Sequence, residues 1–314
     1  MPALPGVIDA KELAQIAKTE LNEDPNRTKE DIKAIQSWIK KQPHLHKYIN
    51  TDDQHILMFL RGCKFSLERT KEKLDVYNAC RAACPEWFDN WDAMDPIVQE
   101  FIDLGVAVPL KGYDKNGRRV MVMRGSAIDP RRHNISDQMK FSMMISEMLM
   151  HEADQSSITG FVGVQDMEGM TLGHATQFSP SLGKKAMTIW QDAYPQRPKG
   201  MHFLNMPSLM EAIFGMMKSF SKEKMRDRLI VHPKGDLTML HEAVGTEILP
   251  KEFGGTNGVL QDHIDELRRK MEKHQKWFLE QGKFKSNEKK RPGKSKNHSN
   301  LFGMEGSFRQ LSFD

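Results

Sequence analysis

The chain has 314 residues, 39% of them hydrophobic, and a formal net charge of +4 at pH 7. That length is enough for one large domain or two modest ones with a hydrophobic core. No stretch reaches the roughly 20 consecutive apolar residues of a membrane-spanning helix, and the N-terminus lacks a signal-peptide pattern. The three cysteines show no framework spacing, so we expect a cytoplasmic protein with buried, unpaired thiols.

Residues 1–92 are predicted to form a small helical bundle, because no strand pattern interrupts them. The helices are expected to begin near Asp9, Thr28, Asp52 or Asp53, and Ser66. Thr28 with Asp31 resembles a capping box, and it precedes a helical stripe of isoleucines that ends near Pro43.

Residues 93–257 alternate strands with helices, which predicts an α/β layer with mainly parallel pairing. Two apolar runs, 106–110 and 119–123, flank an Asn-Gly turn and indicate one antiparallel hairpin. Strands are expected at 160–166, 200–205 and 229–231, with helices at 136–154, 179–193, 207–218 and 221–228. A further helix is predicted at 258–282. The basic segment 283–314 is predicted to be a disordered tail.

Motifs of common enzymes are missing. There is no P-loop, no GxGxxG, no GxSxG and no HExxH, and Asp166 and Glu168 are best interpreted as part of a turn that ends at Gly169. We therefore expect no catalytic residues, no metal and no cofactor.

Segment 207–220 is the most informative part of the sequence, because apolar residues occupy most of its helical circumference. The apolar positions are Leu209, Met210, Ile213, Phe214, Met216, Met217 and Phe220. One interpretation is a central core helix that ends at the surface. The other is a lid with one face over an apolar cavity and one face on a membrane. The basic residues around it, Arg197, Lys199, Lys224 and Arg228, suit lipid phosphates or a solvated charged surface.

The helix at 136–154 is also rich in methionine, a flexible residue that accepts irregular apolar shapes. Ser142 and Ser146 share one face of it. Their hydroxyls suit either the polar group of a ligand or a bond back to the helix backbone.

Five segments together resemble the CRAL-TRIO lipid-binding family, in the branch of the tocopherol and retinaldehyde carriers. They are HILMFLRGCKFSLERTKEKL (55–74), GYDKNGRRVMVMR (112–124), QDMEGMTLGHATQFSPS (165–181), YPQRPKGMHFLN (194–205) and LPKEFGG (249–255). The resemblance covers about residues 10–280. It implies non-catalytic lipid carriage, a mobile lid helix, and a phosphoinositide site at Arg197, Lys199, Lys224 and Arg228.

The resemblance also implies a ligand pocket. Its positions map to Met139, Ser142, Ser146, Phe161, Gly163, Gln165, Met170, Phe178, Trp190, Met201, Ile213 and Met217. Gln165 and Met170 each replace an aromatic residue of the tocopherol carrier, so a more polar and more deformable cavity is expected.

The leading hypothesis is an intracellular, monomeric carrier of a tocopherol-, retinoid- or carotenoid-like ligand. It would attach reversibly to endosomal or plasma membranes that contain phosphoinositide, and it would not bind nucleic acid. Two alternatives remain: a phosphoinositide-reading membrane-trafficking adaptor without apolar cargo, and an enzyme with an unfamiliar nucleotide site.

Overall fold

A computed structural model describes residues 4–303 of the chain. Six helices precede the first strand: α1 (Ala10–Leu21), α2 (Thr28–Lys40), α3 (Asp53–Gly62), α4 (Leu67–Ala83), α5 (Pro85–Phe88) and α6 (Pro96–Asp103). The strands are β1 (Ala107–Pro109), β2 (Arg119–Arg124), β3 (Phe161–Asp166), β4 (Pro198–Leu204) and β5 (Leu229–Val231).

The remaining helices lie between the strands or after them. Those between strands are α7 (Ile135–Glu152), α8 (Ser156–Thr159), α9 (Leu172–Ala175), α10 (Pro180–Thr188), α11 (Glu211–Phe220) and α12 (Glu223–Arg226). Those after β5 are α13 (Thr238–Val244), α14 (Leu260–Lys273), α15 (Gln275–Gln281) and α16 (His298–Phe302). A π-helical turn, Ile189–Ala193, extends α10, and short 3₁₀ turns include Ser208–Met210 before α11.

The five strands form one sheet in the order β1-β2-β3-β4-β5. β1 pairs antiparallel with β2, and the other three pairings are parallel. The α/β fold with one antiparallel pair and mainly parallel strands is therefore confirmed. Helical crossovers connect the parallel strands, as this pairing requires. Gly169 has a φ of +79°, which allows the turn predicted after β3.

The helix starts were predicted with mixed success. The Asp9 carboxylate accepts hydrogen bonds from the backbone N–H groups of Lys11 and Glu12, as expected of an N-cap. The capping box at Thr28 is wrong. The Thr28 hydroxyl donates to the Asp24 carbonyl instead, and Arg27 precedes the helix without a side-chain cap.

One buried cluster of polar side chains connects the N-terminal helices to the α/β layer. The Glu147 carboxylate of α7 accepts hydrogen bonds from the hydroxyls of Tyr77 and Tyr194 and from Arg81 of α4. Arg81 is 2% exposed, and its guanidinium also donates to the carbonyls of Gln281 and Phe284. Because a buried charge requires partners of this kind, the cluster fixes the C-terminal segment against both parts of the chain.

The prediction of a disordered tail is wrong for residues 283–303. The backbone N–H groups of Lys285 and Ser286 donate to carbonyls of Tyr48 and Asn78. Arg291 forms a two-bond ion pair with Asp75 of α4 at 2.7 and 2.8 Å, and Phe302 of α16 is fully buried. The composition is polar and basic, but the half-buried Asp75 of α4 pairs with both Arg291 and Lys296 and offsets part of its charge. Residues 304–314 of that prediction lie outside the described part of the chain. The helix predicted at 258–282 is also interrupted, since α14 ends at Lys273 and α15 begins at Gln275.

Candidate functional site

One face of the sheet carries large, flexible apolar side chains. The register places Met121, Gly163 and Met201 side by side on β2, β3 and β4, and it places Gln165 next to Phe203 one pair further along. A Cβ atom at Gly163 would lie 2.6 Å from the Met201 side chain, so the missing side chain makes room for methionine. This face therefore has the deformable surface that irregular apolar ligands need.

An apolar cluster covers this face and contains half of the predicted pocket. Its buried members are Met167, Met201, Phe203 and Met210. Partly buried residues pack against them, and these include Phe161, Met170, Phe178, Trp190, Ile213 and Phe214. With Met201, six of the twelve predicted pocket residues thus share this cluster. Gly163 lies beneath it, because its position faces the Met201 side chain.

Other predicted pocket residues lie elsewhere. Met139 packs against the main hydrophobic core, and Met217 is half-buried on α11. The Ser142 hydroxyl donates to the Gln138 carbonyl at 2.9 Å, which matches the backbone-bonding interpretation of this helix serine. Ser146 is half-buried one turn further along α7. The Gln165 side-chain amide donates to the Met123 carbonyl at 3.4 Å.

Helix α11, the predicted lid, lies over the cluster. The Phe214 ring makes an edge contact with the Phe203 ring, with centroids 4.9 Å apart. The side chains of Met216 and Phe220 face Gly183 of α10. The apolar side chains of the helix are therefore half-buried, namely Ile213, Phe214, Met216, Met217 and Phe220. Its exposed positions are small or polar: Glu211, Ala212, Gly215, Lys218 and Ser219. Leu209, just before the helix, is 40% exposed.

The π-helical turn Ile189–Ala193 holds the C-terminal end of this lid. The Gln191 side-chain amide donates to the Phe220 carbonyl at 3.3 Å, and its oxygen accepts from the Lys222 N–H at 2.8 Å. Lys73 of α4 donates to three carbonyls at the end of the same turn, those of residues 191, 192 and 194. Burial lowers the pKa of Lys73. Because π-helical turns are rare and are frequent at functional sites, this turn is a candidate coupling element.

A basic cleft of about 670 Å³ lies on the other side of the π-helical turn. All four predicted phosphoinositide residues line it. In total, seven basic residues line the cleft: Lys64, Lys73, Arg197, Lys199, Lys222, Lys224 and Arg228. Glu20 of α1 is the acidic residue of the lining, and Trp190 and Gln191 form part of its wall. The structure therefore brings together two pairs of basic side chains from separate segments of the chain.

The basic side chains of the cleft differ in the hydrogen bonds that restrain them. Arg197 donates to the Ile158 carbonyl and to Glu20, and Arg228 donates to the Pro198 carbonyl. Burial, and then the nearby guanidinium of Arg197, lower the pKa of Arg228. Burial also lowers the pKa of Lys199, although Glu20 partly offsets this. Both pKa shifts follow mainly from burial of the cations, a cost that a bound anion would offset.

Sequence reasoning missed several residues of this site. Glu20, Lys64, Lys73 and Gln191 line the cleft or hold the lid, but none stands in a pattern that predicts a role. Lys73 is one of several charged residues spread along α4. Glu20 lies 177 residues before Arg197 in the chain. Lys222 belongs to the group of basic residues that follows the lid, so the sequence did indicate a charged surface there.

Comparisons with known proteins agree with this architecture. Residues 105–255 match the model of the CRAL/TRIO domain, and residues 24–98 match that of the Pinta-like, UBA domain. An alpha-tocopherol transfer protein-like protein of Mus musculus is 32% identical over 263 residues, which cover 82% of this chain and 75% of that protein. Clavesin-2 of Rattus norvegicus is 31% identical over 244 residues, or 78% of this chain and 74% of that protein.

The fold is also similar to a solved structure. The crystal structure of Sfh5 superposes with a TM-score of 0.50 at 15% identity, covering 82% of this chain and 92% of that one. Within residues 4–303, no helix has both the length and the apolarity to cross a membrane. Through its family match and its relatives, this chain belongs to the CRAL-TRIO family of lipid-binding, non-enzymatic transfer proteins.

Proposed function

We propose that this protein carries a small hydrophobic ligand between the apolar sheet face and helix α11, and that it releases the ligand at phosphoinositide-containing membranes. The observation that carries this proposal is that the apolar cluster and the basic cleft share a residue. Trp190 packs in the apolar cluster and also lines the basic cleft. Its neighbour Gln191 lines the cleft and binds the end of the lid. An anionic headgroup in the cleft would therefore contact the same turn that holds the lid closed.

The surface around the lid supports contact with a bilayer. Leu172 of α9 is 69% exposed and Leu209 is 40% exposed, and α9 packs against the 3₁₀ turn that contains Leu209. Exposed leucines suit the interface of a membrane, where apolar side chains insert, and each cation of the cleft near an anionic surface would contribute about 1 kcal/mol. The exposed cations of the cleft, Lys64, Lys222 and Lys224, are of this kind, and about 3 kcal/mol gives reversible attachment.

The ligand we propose is an isoprenoid-like molecule of the tocopherol, retinoid or carotenoid type. Methionines at 123, 170 and 201 provide adaptable apolar contacts, and the Gln165 amide is the polar group on the same sheet face. The relative named alpha-tocopherol transfer protein-like supports a cargo of this class. Such a pocket fixes one polar end of the ligand and leaves its hydrocarbon part to flexible side chains.

The test combines cargo identification with a transfer assay. Protein purified from its native tissue is extracted and the lipids are identified by mass spectrometry. Transfer of a fluorescent tocopherol between vesicles is then measured with and without phosphatidylinositol bisphosphate in the acceptor vesicles. Gly163→Leu should fill the pocket and abolish loading. Gly215→Leu is the matched control for loading alone, because a Cβ atom there has no neighbour within 4 Å but the position lies on the exposed face of the lid.

We expect stoichiometric lipid, and transfer that accelerates with phosphoinositide. An empty protein that transfers nothing would overturn the carrier proposal. If Gly163→Leu leaves every cellular function intact while loss of vesicle binding abolishes it, the adaptor hypothesis replaces the carrier.

A further inference from the structure

Glu20 is an acidic side chain inside the basic cleft. One carboxylate oxygen, Oε2, accepts hydrogen bonds from Arg197 Nη2 at 2.7 Å and from Lys199 Nζ at 3.0 Å. Burial alone would raise the pKa of Glu20, but the hydrogen bonds from Arg197 and Lys199 outweigh it and lower the pKa. The group is therefore an anion near neutral pH, and it binds two of the cations predicted to bind phosphate.

Helix α1 positions this carboxylate. Ala17 and Leu21 of α1 form a small buried cluster with Ile158, and the Ile158 carbonyl accepts a hydrogen bond from Arg197. Ile158 thus packs against the helix in the apolar cluster and orients the arginine with its carbonyl. Residues 10–21 lie outside both segments that match family models, 24–98 and 105–255. Helix α1 therefore brings to the cleft a carboxylate from outside the two matched segments, whereas Arg197 and Lys199 lie within residues 105–255.

We propose that Glu20 is a built-in competitor for anionic headgroups, which a phosphate group must displace from Arg197 and Lys199. This inference rests on the proposed anion-binding role of the cleft. The Glu20 side chain is 46% exposed, so it can turn towards solvent while the apolar face of α1 stays packed. Because an anion must first displace Glu20, it binds to these two cations more weakly than it would to unpaired ones. Occupation of the cleft then depends on additional contacts with Lys64, Lys222 and Lys224.

Competition of this kind has a limited magnitude. Glu20 makes two partly exposed ion pairs, and a pair of this kind typically changes an equilibrium constant by about twofold to threefold. Removing the carboxylate charge should therefore tighten headgroup binding by about threefold to tenfold. Glu20→Gln keeps the side-chain shape and removes the charge. Glu12→Gln is the matched control, because it makes the same charge change on the same exposed helix without lining the cleft.

The experiment measures binding of both variants and the wild-type protein by calorimetry and vesicle sedimentation. The probes are soluble inositol 1,4,5-trisphosphate, inorganic phosphate, and vesicles with or without phosphatidylinositol 4,5-bisphosphate. Hydrogen exchange of residues 10–21 is followed in parallel. We expect Glu20→Gln to bind trisphosphate and phosphoinositide vesicles about threefold to tenfold more tightly, with Glu12→Gln unchanged. In the wild-type protein, the trisphosphate should speed exchange at the C-terminal end of α1.

Each other outcome has a defined meaning. Equal effects of the two variants, or weaker binding by Glu20→Gln, would overturn the competitor role and leave the proposed function standing. Binding of neither headgroup nor vesicles by any variant would remove both proposals. A further outcome is that inorganic phosphate is bound as tightly as the trisphosphate while vesicles are not bound. That result would support Glu20 as a competitor for a free anion and would overturn the proposal that the ligand is released at membranes.

Discussion

Lys224 offers the most direct test of the cleft, because its ammonium group carries charge without a structural role. Lys224 lines the cleft from α12, and within residues 4–303 it forms no ion pair or hydrogen bond. Arg197 and Arg228, by contrast, both donate to backbone carbonyls. Lys224→Ala should therefore remove one charge and little else. Surface substitutions of this kind change the free energy of unfolding by about 0.5 kcal/mol or less.

The expected loss of binding follows from the charge alone. A basic residue near an anionic membrane contributes about 1 kcal/mol, so Lys224→Ala should weaken binding to phosphoinositide vesicles about fivefold. Arg226→Ala is the control, because Arg226 lies on the same short helix, is also exposed, and does not line the cleft. It should change the affinity for phosphoinositide vesicles and for soluble inositol trisphosphate less than twofold. The difference between wild type and Lys224→Ala should shrink as salt is raised, since salt screens exposed charges.

Vesicle sedimentation and calorimetry with the soluble headgroup measure these affinities. Wild-type affinity in Lys224→Ala, or an equal loss in both variants, would show that general surface charge rather than the cleft binds the membrane.

Three further predictions concern the structure that surrounds the site. Arg81→Met should lower the free energy of unfolding by about 3–5 kcal/mol in a denaturant titration, because it leaves Glu147 as a buried charge without its cation; a loss below 1 kcal/mol would contradict this. Burial would raise the pKa of Asp75, but hydrogen bonds from Arg291 and Lys296 lower it to about 2. Asp75 should therefore contribute about 2 kcal/mol of stability above pH 4 that is lost as the pH falls to 2, and Asp75→Asn should differ from wild type at pH 7 but little at pH 2. Gln191→Ala should release ligand about fivefold faster in a vesicle transfer assay, since it removes the hydrogen bonds at the end of the lid; an unchanged rate would mean that the turn does not hold the lid.

Much of the fold could be predicted from the sequence, because local patterns determine it. The alternation of short β-rich runs with amphipathic segments predicted each of the five strands within a few residues. The Asn116-Gly117 turn located the antiparallel pair, and Asp9 located the first helix start. These features depend on residues within a few positions of one another. The capping box predicted at Thr28 is also a local feature, but it was wrong, because the Thr28 hydroxyl donates to the Asp24 carbonyl instead.

The four basic residues of the candidate phosphate site could also be found, but only because two sequence clusters and a family resemblance indicated them. The apolar pocket was predicted less completely. Phe161, Trp190 and Met201 share the cluster under the lid, whereas Met139 packs in the main core and Ser142 bonds to its own helix. Rotamers and helix rotation decide such details, and a pattern of residue types does not specify them.

Long-range polar contacts were decided by the tertiary structure alone. Nothing near Glu20 in the sequence indicates that its carboxylate meets Arg197 and Lys199, and nothing near Asp75 indicates Arg291. The basic composition of 283–303 even favoured disorder, since a charged segment by itself has little apolar surface to bury. The sequence therefore determined most of the elements, the mainly parallel pairing with one antiparallel hairpin, and the basic character of the cleft. The tertiary structure decided which charges are paired, because the free energy of a charge depends on partners that only folding brings within hydrogen-bond distance.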